Sequence, residues 1–381
     1  MYQFSKVLNV VIKPTLACNL RCKYCYYQHT DYNKEKMSTE ILSRFCDISF
    51  PYFKKMLIIW HGGEPTLYGK NTLLAYIDIV NKKSKQYSLL DISQSVQTNG
   101  TLLNDNFVKC LKAANVSIGI SYDGLKNSYL RNGTDKVLKS IRMIQENNLT
   151  PKALSVVSGI NYKNLIDEYE NAKKLGIDVK YSPYEDVDSP LEQIKISSDQ
   201  YVECMERLFD YWIDYKNCCI RLEPFCGMIR DYYKGKSSTC TRTSCMQRWI
   251  GINPNGDVFP CGRFMNIKPY GNINNLNDIR EIYHSESYVS LLKKANIRKK
   301  KCFDECDVFQ FCEGGCNYDA ALTSGIENNS GFDCRIFKNF FKYVMKVVDS
   351  RDLFKCFKNV KNPMLSKFLE GIVTSTVCQK Q

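Results

Sequence analysis

LNVVIKPTLACNLRCKYC, residues 8–25, runs from an apolar, β-branched stretch straight into three closely spaced cysteines. Residues 8–14 read as a strand, and Cys18, Cys22 and Cys25 fall in the loop that leaves it. Three thiolates in that order can hold three irons of a [4Fe–4S] cube and leave the fourth iron without a protein ligand. An open metal position is where a small molecule can coordinate, as at catalytic zinc sites. The plainer reading of the same trio is a zinc site or chance clustering.

Working outward, MLIIW (56–60), DISQSVQTN (91–99), VSIGIS (116–121), KALSVVS (152–158) and IDVKYSP (177–183) read as further strands. Polar segments with helical spacing lie between them, at 39–45, 71–81, 104–114, 135–146 and 162–175. Strands alternating with helices indicate parallel βαβ units. Six such units are too few for a closed eight-fold barrel, so a partial barrel or an open sheet is expected. Its chemistry should sit in the loops after the strands. Residues 184–235 read as a linker with a helix at 198–215, and a cysteine-rich region follows from Cys240 to Cys334. The aromatic, basic stretch IFKNFFKYVMKVV (336–348) reads as a packing helix. The expected division is 1–183, 184–235, 236–340 and a helical tail at 341–381.

Composition narrows the compartment and the chemistry. The chain has 381 residues, 44% hydrophobic and 24% charged, which is ordinary for a globular protein. No apolar run is long enough to cross a bilayer and the N-terminus lacks the features of a signal peptide, so a cytoplasmic protein is expected. Nineteen cysteines in such a chain point to metal ligation rather than disulfides. With only three histidines (His29, His61 and His284), thiolate-only sites are favoured, meaning Zn(Cys)₄ or iron–sulfur clusters.

The cysteine loop, with Tyr24 before its last cysteine, resembles the signature of the radical S-adenosylmethionine (SAM) superfamily. Gly62-Gly63-Glu64-Pro65, after the second strand, is similar to the family's GGEP motif, which meets the amino group of SAM. Thr98-Asn99-Gly100 and Ser121-Tyr122-Asp123-Gly124 follow the third and fourth strands. Both resemble segments near the ribose and carboxylate of SAM, as does Arg131. Glycines permit close backbone approach, and Glu64 can pair with an ammonium. The resemblance covers 8–183 and implies an incomplete (β/α)₆ barrel.

A second constellation runs Cys245-x₁₀-Gly256-x₄-Cys261, then Cys302-x₃-Cys306-x₅-Cys312-x₃-Cys316, then Cys334. It resembles the SPASM domain, with Cys302–Cys306 one residue longer than is usual there. The resemblance implies two auxiliary clusters with interleaved ligands. One would use Cys240, Cys245, Cys261 and Cys316, with Cys226 competing for the place of Cys240 or the site staying open. The other would use Cys302, Cys306, Cys312 and Cys334. Structural zinc is the alternative for this block. Counting three clusters lowers the formal charge of +13 to roughly +8, so no nucleic-acid partner is expected. Cys46, Cys110, Cys204, Cys356 and Cys378 read as packing thiols, and Cys218-Cys219 carries no assignment. The run Arg298-Lys299-Lys300-Lys301 reads as a solvated face, with an acidic electron donor or peptide as the alternative.

By this resemblance the cofactors are three [4Fe–4S] clusters and SAM, and the reaction begins with reductive cleavage of SAM to a 5′-deoxyadenosyl radical. Related enzymes either cross-link ribosomal peptides or oxidise a sulfatase residue to formylglycine. In the second group an aspartate follows the auxiliary cysteine and serves as base, whereas Gly262 follows Cys261 here. That absence favours an intramolecular cross-link (thioether, C–C or C–O) in a ribosomal precursor peptide. The alternative is an anaerobic sulfatase-maturating enzyme, with a base elsewhere, such as Asp257. A non-enzymatic iron–sulfur carrier or zinc adaptor is a further alternative, against which the GGEP, TNG and SYDG loops argue. The expected partners are the peptide and a flavodoxin- or ferredoxin-type donor, without a membrane. Only 17 residues precede Cys18, so leader recognition is expected from another protein or another surface.

Overall fold

The computed structural model describes residues 5–27, 35–88, 90–184, 191–214, 218–242, 245–265, 267–329 and 331–351. In chain order the first elements are β1 (Val7–Thr15), α1 (Thr39–Ser49), β2 (Lys55–Gly62), α2 (Lys70–Ser84), β3 (Asp91–Thr98), α3 (Asp105–Ala113) and β4 (Val116–Ser121). Then come α4 (Asn127–Leu130), α5 (Thr134–Glu146), β5 (Lys152–Val157), α6 (Leu165–Leu175), β6 (Asp178–Pro183), α7 (Ser198–Trp212), β7 (Leu222–Glu223) and α8 (Phe225–Lys234). The C-terminal part adds β8 (Trp249–Ile252), β9 (Asp257–Phe259), β10 (Gly271–Asn272), α9 (Glu286–Glu305), α10 (Phe309–Cys312), α11 (Asn317–Thr323) and α12 (Gly331–Ser350). Expected tail residues 352–381 lie outside the described residues.

The chain divides into two compact units. The first comprises Met1–Ser121, Arg131–Pro151 and Ser244–Lys294. Its strands lie in the order β10-β9-β8-β1-β2-β3-β4. β8, β1, β2, β3 and β4 run parallel, while β9 and β10 form an antiparallel edge. The alternation of burial along β1 and β2 separates two faces. Leu8, Val10, Ile12, Met56, Ile58 and Trp60 are buried on one of them. Trp60 stacks on Tyr76 of α2 with ring centroids 6.0 Å apart, which places the helices on that face. Val11, Lys13 and His61 belong to the opposite face by the same period. Helix ends follow local chemistry: Ser38 caps α1 through Ile41 N, and Asn104 caps α3 through Phe107 N.

The second unit comprises Tyr122–Leu130, Lys152–Thr243 and Ala295–Gln381. β5, β6 and β7 are parallel neighbours. A capping box of Ser197 and Gln200 starts α7. Phe209 of α7, Phe225 of α8 and Phe340 of α12 are fully buried against one another, with centroids 5.0–6.3 Å apart. Each such ring contributes roughly 1.5–3 kcal/mol by leaving water. The IFKNFFKYVMKVV stretch is therefore core packing, in α12.

Candidate functional site

The cysteine loop is anchored by backbone before any thiol is considered. Gly63 N donates to Thr15 O at 3.0 Å, and Glu64 N donates to Ala17 O at 2.9 Å. A β-carbon on Gly63 would lie 2.1 Å from Ala17 O, so only glycine allows β2 to meet the loop. Glu64 is fully buried. Its Oε1 accepts from Thr66 N (3.0 Å), Thr66 Oγ1 (2.5 Å) and Thr98 Oγ1 (2.7 Å), and its Oε2 accepts from Asn99 N (2.8 Å). The carboxylate expected to face an ammonium ties the GGEP and TNG loops together.

Asn99 Nδ2 reaches Asn19 Oδ1 at 2.9 Å and Cys18 Sγ at 3.7 Å, and Leu20 N donates to the same sulfur at 3.4 Å. Cys25 N donates to Cys22 O at 3.1 Å. Arg131 Nη1 donates to Tyr24 Oη at 2.5 Å. Burial pushes the Cys18 and Cys25 thiols up, and Cys18 adds to the rise at Cys25, while Arg131 pulls both down. N–H donors aimed at a sulfur, with a cation alongside, suit a thiolate ligand, so this loop fits an iron–sulfur cluster. Ser121 Oγ accepts from Gln97 Nε2 at 3.0 Å. Asp123, in the second unit, is buried and accepts from Val156 N at 2.8 Å.

Four of the C-terminal cysteines meet in the second unit. Cys302 lies in the last turns of α9, Cys306 follows that helix, Cys312 ends α10 and Cys334 opens α12. They line one cavity, together with Gly315 and Asp333. Burial raises Cys302, Cys312 and Cys334, with Cys312 pushed up to about 11, and the four cysteines surround a space that suits a cluster with four thiolates. Two arginines stand beside them, Arg242, which the sequence reading passed over, and Arg298, which it read as part of a solvated run. Arg242 pairs with Asp333 through two contacts of 2.5 and 2.7 Å, lies 4.2 Å over the Phe337 ring, and is close to Cys312 and Cys316. Arg298 is buried, donating to Gly314 O at 2.8 Å and to Asn317 Oδ1 and Ile326 O. The basic run is thus not one solvated face: Arg298 turns inward, while Lys299 pairs with Glu313 and Lys301 meets Asn328.

Cys245 and Cys261 belong to the first unit, Cys240 and Cys316 to the second. Val11 of β1 is paired with Gly251 of β8, and a β-carbon on Gly251 would meet Cys261 O at 2.5 Å. Cys261 and Gly262 therefore lie across β1 and β8, on the face that carries Val11 and Lys13. Lys13 Nζ and Tyr270 Oη are buried close to these cysteines and meet no hydrogen-bond partner among the described residues. Orphaned donors beside these thiols fit a group that supplies acceptors, as cluster sulfurs do. Cys226 is fully buried in α8 with Cys218 nearby, its thiol pushed up to about 12 by burial. Cys46 and Cys204 are buried, as packing thiols should be, and Cys356 and Cys378 lie outside the described residues.

Gly262 has its own explanation. A β-carbon there would stand 2.7–3.2 Å from the three carbons of the Val11 side chain, and Tyr27 Oη donates to Gly262 O at 3.2 Å. The missing aspartate reflects packing against β1 and says nothing by itself about the product. Asp257 is held in a turn, its oxygens accepting from Asn255 Nδ2 (2.7 Å) and Asn272 Nδ2 (2.9 Å). Introducing Gly262→Asp is expected to destabilise the protein by about 1–3 kcal/mol through overpacking. Thermal unfolding of anaerobically held protein reads this; an unshifted midpoint would mean that Val11 yields.

Comparison with known proteins agrees with the chemistry and overturns one expectation. The model of the radical SAM superfamily matches residues 12–182, and the SPASM iron–sulfur cluster-binding domain matches 240–313. A cysteine-type anaerobic sulfatase-maturating enzyme of Clostridium perfringens is 26% identical over 364 residues, covering 88% of this chain and 96% of its own. A serine-type anaerobic sulfatase-maturating enzyme of Bacteroides thetaiotaomicron is 25% identical, covering 91% of each. The solved structure of native anSMEcpe with bound AdoMet and Cp18Cys peptide superposes with a TM-score of 0.79, at 24% identity, over 91% of this chain and 100% of that one. The fold expected from the strand–helix rhythm, an α/β fold on a parallel sheet followed by a cysteine-rich domain, is thus the shared fold. Peptide cross-linking, favoured on the absence of a carboxylate at 262, is corrected: near full-length relatives mature sulfatases, and Val11 accounts for the glycine. With one domain spanning the cysteine loop and its strands and the other the C-terminal cysteines, the chain belongs to the radical SAM superfamily and carries a SPASM domain.

Proposed function

We propose that this enzyme is an anaerobic sulfatase-maturating enzyme that oxidises a cysteine side chain of a sulfatase to formylglycine. The observation that carries the reading is the end-to-end match to such enzymes, across both domains. Cysteine is favoured over serine on chemical grounds. The side chain that gives up its proton more easily is the better substrate, and a thiol ordinarily does so near pH 8.5. In the balanced reaction the thiol-bearing carbon loses two electrons and two protons, hydrogen sulfide leaves, and water supplies the aldehyde oxygen.

When bound, SAM and the cluster of the cysteine loop supply the hydrogen-abstracting radical, and auxiliary clusters supply an acceptor for the second electron. The residues proposed to hold these groups are Cys18, Cys22 and Cys25 for the first cluster and Cys302, Cys306, Cys312 and Cys334 for one auxiliary cluster. By the resemblance to the SPASM pattern, Cys240, Cys245, Cys261 and Cys316 are proposed for the other, with Cys226 competing for the place of Cys240. Glu64 keeps the loops around SAM in register through Thr66, Thr98 and Asn99. Arg131 holds Tyr24 against the cysteine loop. Gly62, Pro65, Ser121 and Asp123 complete the proposed surroundings of SAM. The division of labour follows the sequence, with the radical chemistry in 1–183 and the auxiliary ligands in 236–340. A flavodoxin- or ferredoxin-type protein is the proposed donor of the priming electron. Among the described residues no helix is long and apolar enough to cross a membrane.

The test is anaerobic incubation with dithionite, SAM and sulfatase-derived peptides carrying cysteine or serine at the target position. Mass spectrometry should show the cysteine peptide losing sulfur and gaining oxygen. Both peptides returned intact while 5′-deoxyadenosine accumulates would overturn the reading.

A further inference from the structure

Among the described residues, two buried donors near Cys261 have nothing to donate to. Lys13 lies on β1, two residues beyond the Val11 that packs on Gly262, and is 0% exposed. Its Nζ meets no hydrogen-bond partner among the described residues, and its neighbours are the Tyr27 ring at 5.5 Å, Cys261 and His61. His61 adds no second cation beside it: burial first, then Lys13 itself, hold the imidazole down to about 4, and its Nδ1 accepts from Gly62 N at 2.7 Å. Tyr270, from the segment that leads into β10, is the second case. Its backbone N–H donates to Val258 O at 2.7 Å and its ring packs edge-on against Tyr288. Yet its buried hydroxyl meets no partner among the described residues, with Cys245 and Cys261 among its nearest titratable neighbours.

An orphaned buried hydroxyl loses about 1–3 kcal/mol of solvation, and an orphaned ammonium loses more. Two of them converging on Cys261, the second with Cys245 beside it as well, signal an acceptor that arrives with negative charge. Cys18 and Cys25 have other charged neighbours, namely Arg131, Arg21 and Glu64, so the convergence is particular to Cys245 and Cys261.

We propose that Lys13 and Tyr270 donate hydrogen bonds to the sulfurs of the auxiliary cluster held by Cys245 and Cys261, and that they set its reduction potential. Reduction adds negative charge to the sulfurs, so donors and a cation beside them favour the reduced state and raise the potential. Lys13 and Tyr270 are in this sense positioning and tuning residues. They make this cluster a better acceptor for an electron leaving the substrate than it would be without them.

The inference rests on Cys245 and Cys261 being cluster ligands, and the experiment separates the two claims. In the Cys18→Ala/Cys22→Ala/Cys25→Ala background, a redox titration followed by electron paramagnetic resonance should show two auxiliary midpoint potentials. Lys13→Met and Tyr270→Phe should each lower one and the same midpoint, leave the other in place, and lower it further when combined. Lys13→Arg should restore most of the shift. Both replacements remove an unsatisfied buried polar atom, so the metal-free protein should unfold at the same or a higher temperature. That separates tuning from a structural role. Unmoved midpoints in both variants would overturn the proposal. Cys261→Ala tests the premise alone: if its iron content matches the background protein, the ligand assignment fails, whatever the potentials do.

Discussion

Protein with Cys18, Cys22 and Cys25 all replaced by alanine is expected to form no 5′-deoxyadenosine and to bind about one third less iron, from about twelve per chain. The loss should be complete rather than graded. Among the cysteines, only these three follow β1 in a loop flanked by the GGEP and TNG segments, and one cluster serves both to anchor SAM and to reduce it. The loop itself should survive the change. Its anchors are the backbone bonds from Gly63 to Thr15 and from Glu64 to Ala17, together with Glu64's hold on Thr98 and Asn99, none of which involves a thiol. The variant should therefore keep its unfolding temperature and the iron of the two auxiliary clusters. Chromatographic assay of 5′-deoxyadenosine after dithionite reduction, beside an iron assay, checks both halves. Continued SAM cleavage would remove the basis for assigning the radical chemistry to this loop.

How much of this was legible in the sequence depends on how local the signal was. The six strands of the first half were readable to within about two residues, because β-branched runs and helical spacing act over short windows. β8 and β9 were not read. They are four and three residues long, and β8 exists because it pairs with β1, some 240 residues away in the chain. Cysteine spacing found the four thiols around the cavity in the second unit, since their loop is short and self-contained. It could not find Arg242 and Asp333, although each stands next to or between the cysteines it serves. A charged residue near a cysteine is usually solvated, and only burial makes this pair distinctive. Lys13 was hidden in the same way: a lysine at the end of a strand reads as a solvated terminus until the segment of Cys261 and Gly262 is seen to lie on the same face. The misreading of Gly262 has the same origin. Glycine carried no information about base chemistry, because a side chain there would crowd Val11.

Asp333→Asn should show the largest stability effect of any single change beside the cysteines of the second unit. The Arg242 and Asp333 side chains are only 9% and 14% exposed, and their two contacts of 2.5 and 2.7 Å are bidentate. Removing one partner of such a pair leaves an uncompensated buried cation, which destabilises by about 3–5 kcal/mol. Asparagine keeps the shape and one acceptor, so the effect isolates charge from packing. The bound state adds a discriminating feature. Arg242 lies near Cys312 and Cys316, and a cluster with four thiolates carries a net negative charge of about two. With that cluster in place the guanidinium keeps a counter-charge even without Asp333. Thermal unfolding should thus show a large drop for the metal-free variant and a smaller one for the reconstituted variant. In the double replacement Arg242→Met with Asp333→Leu, apolar groups fill the site, so the metal-free protein should recover most of the lost stability. A drop below about 1 kcal/mol in metal-free Asp333→Asn, the worth of an exposed ion pair, would show that water reaches this pair. Arg242 would then be a surface cation, without a part in balancing the charge of the cluster.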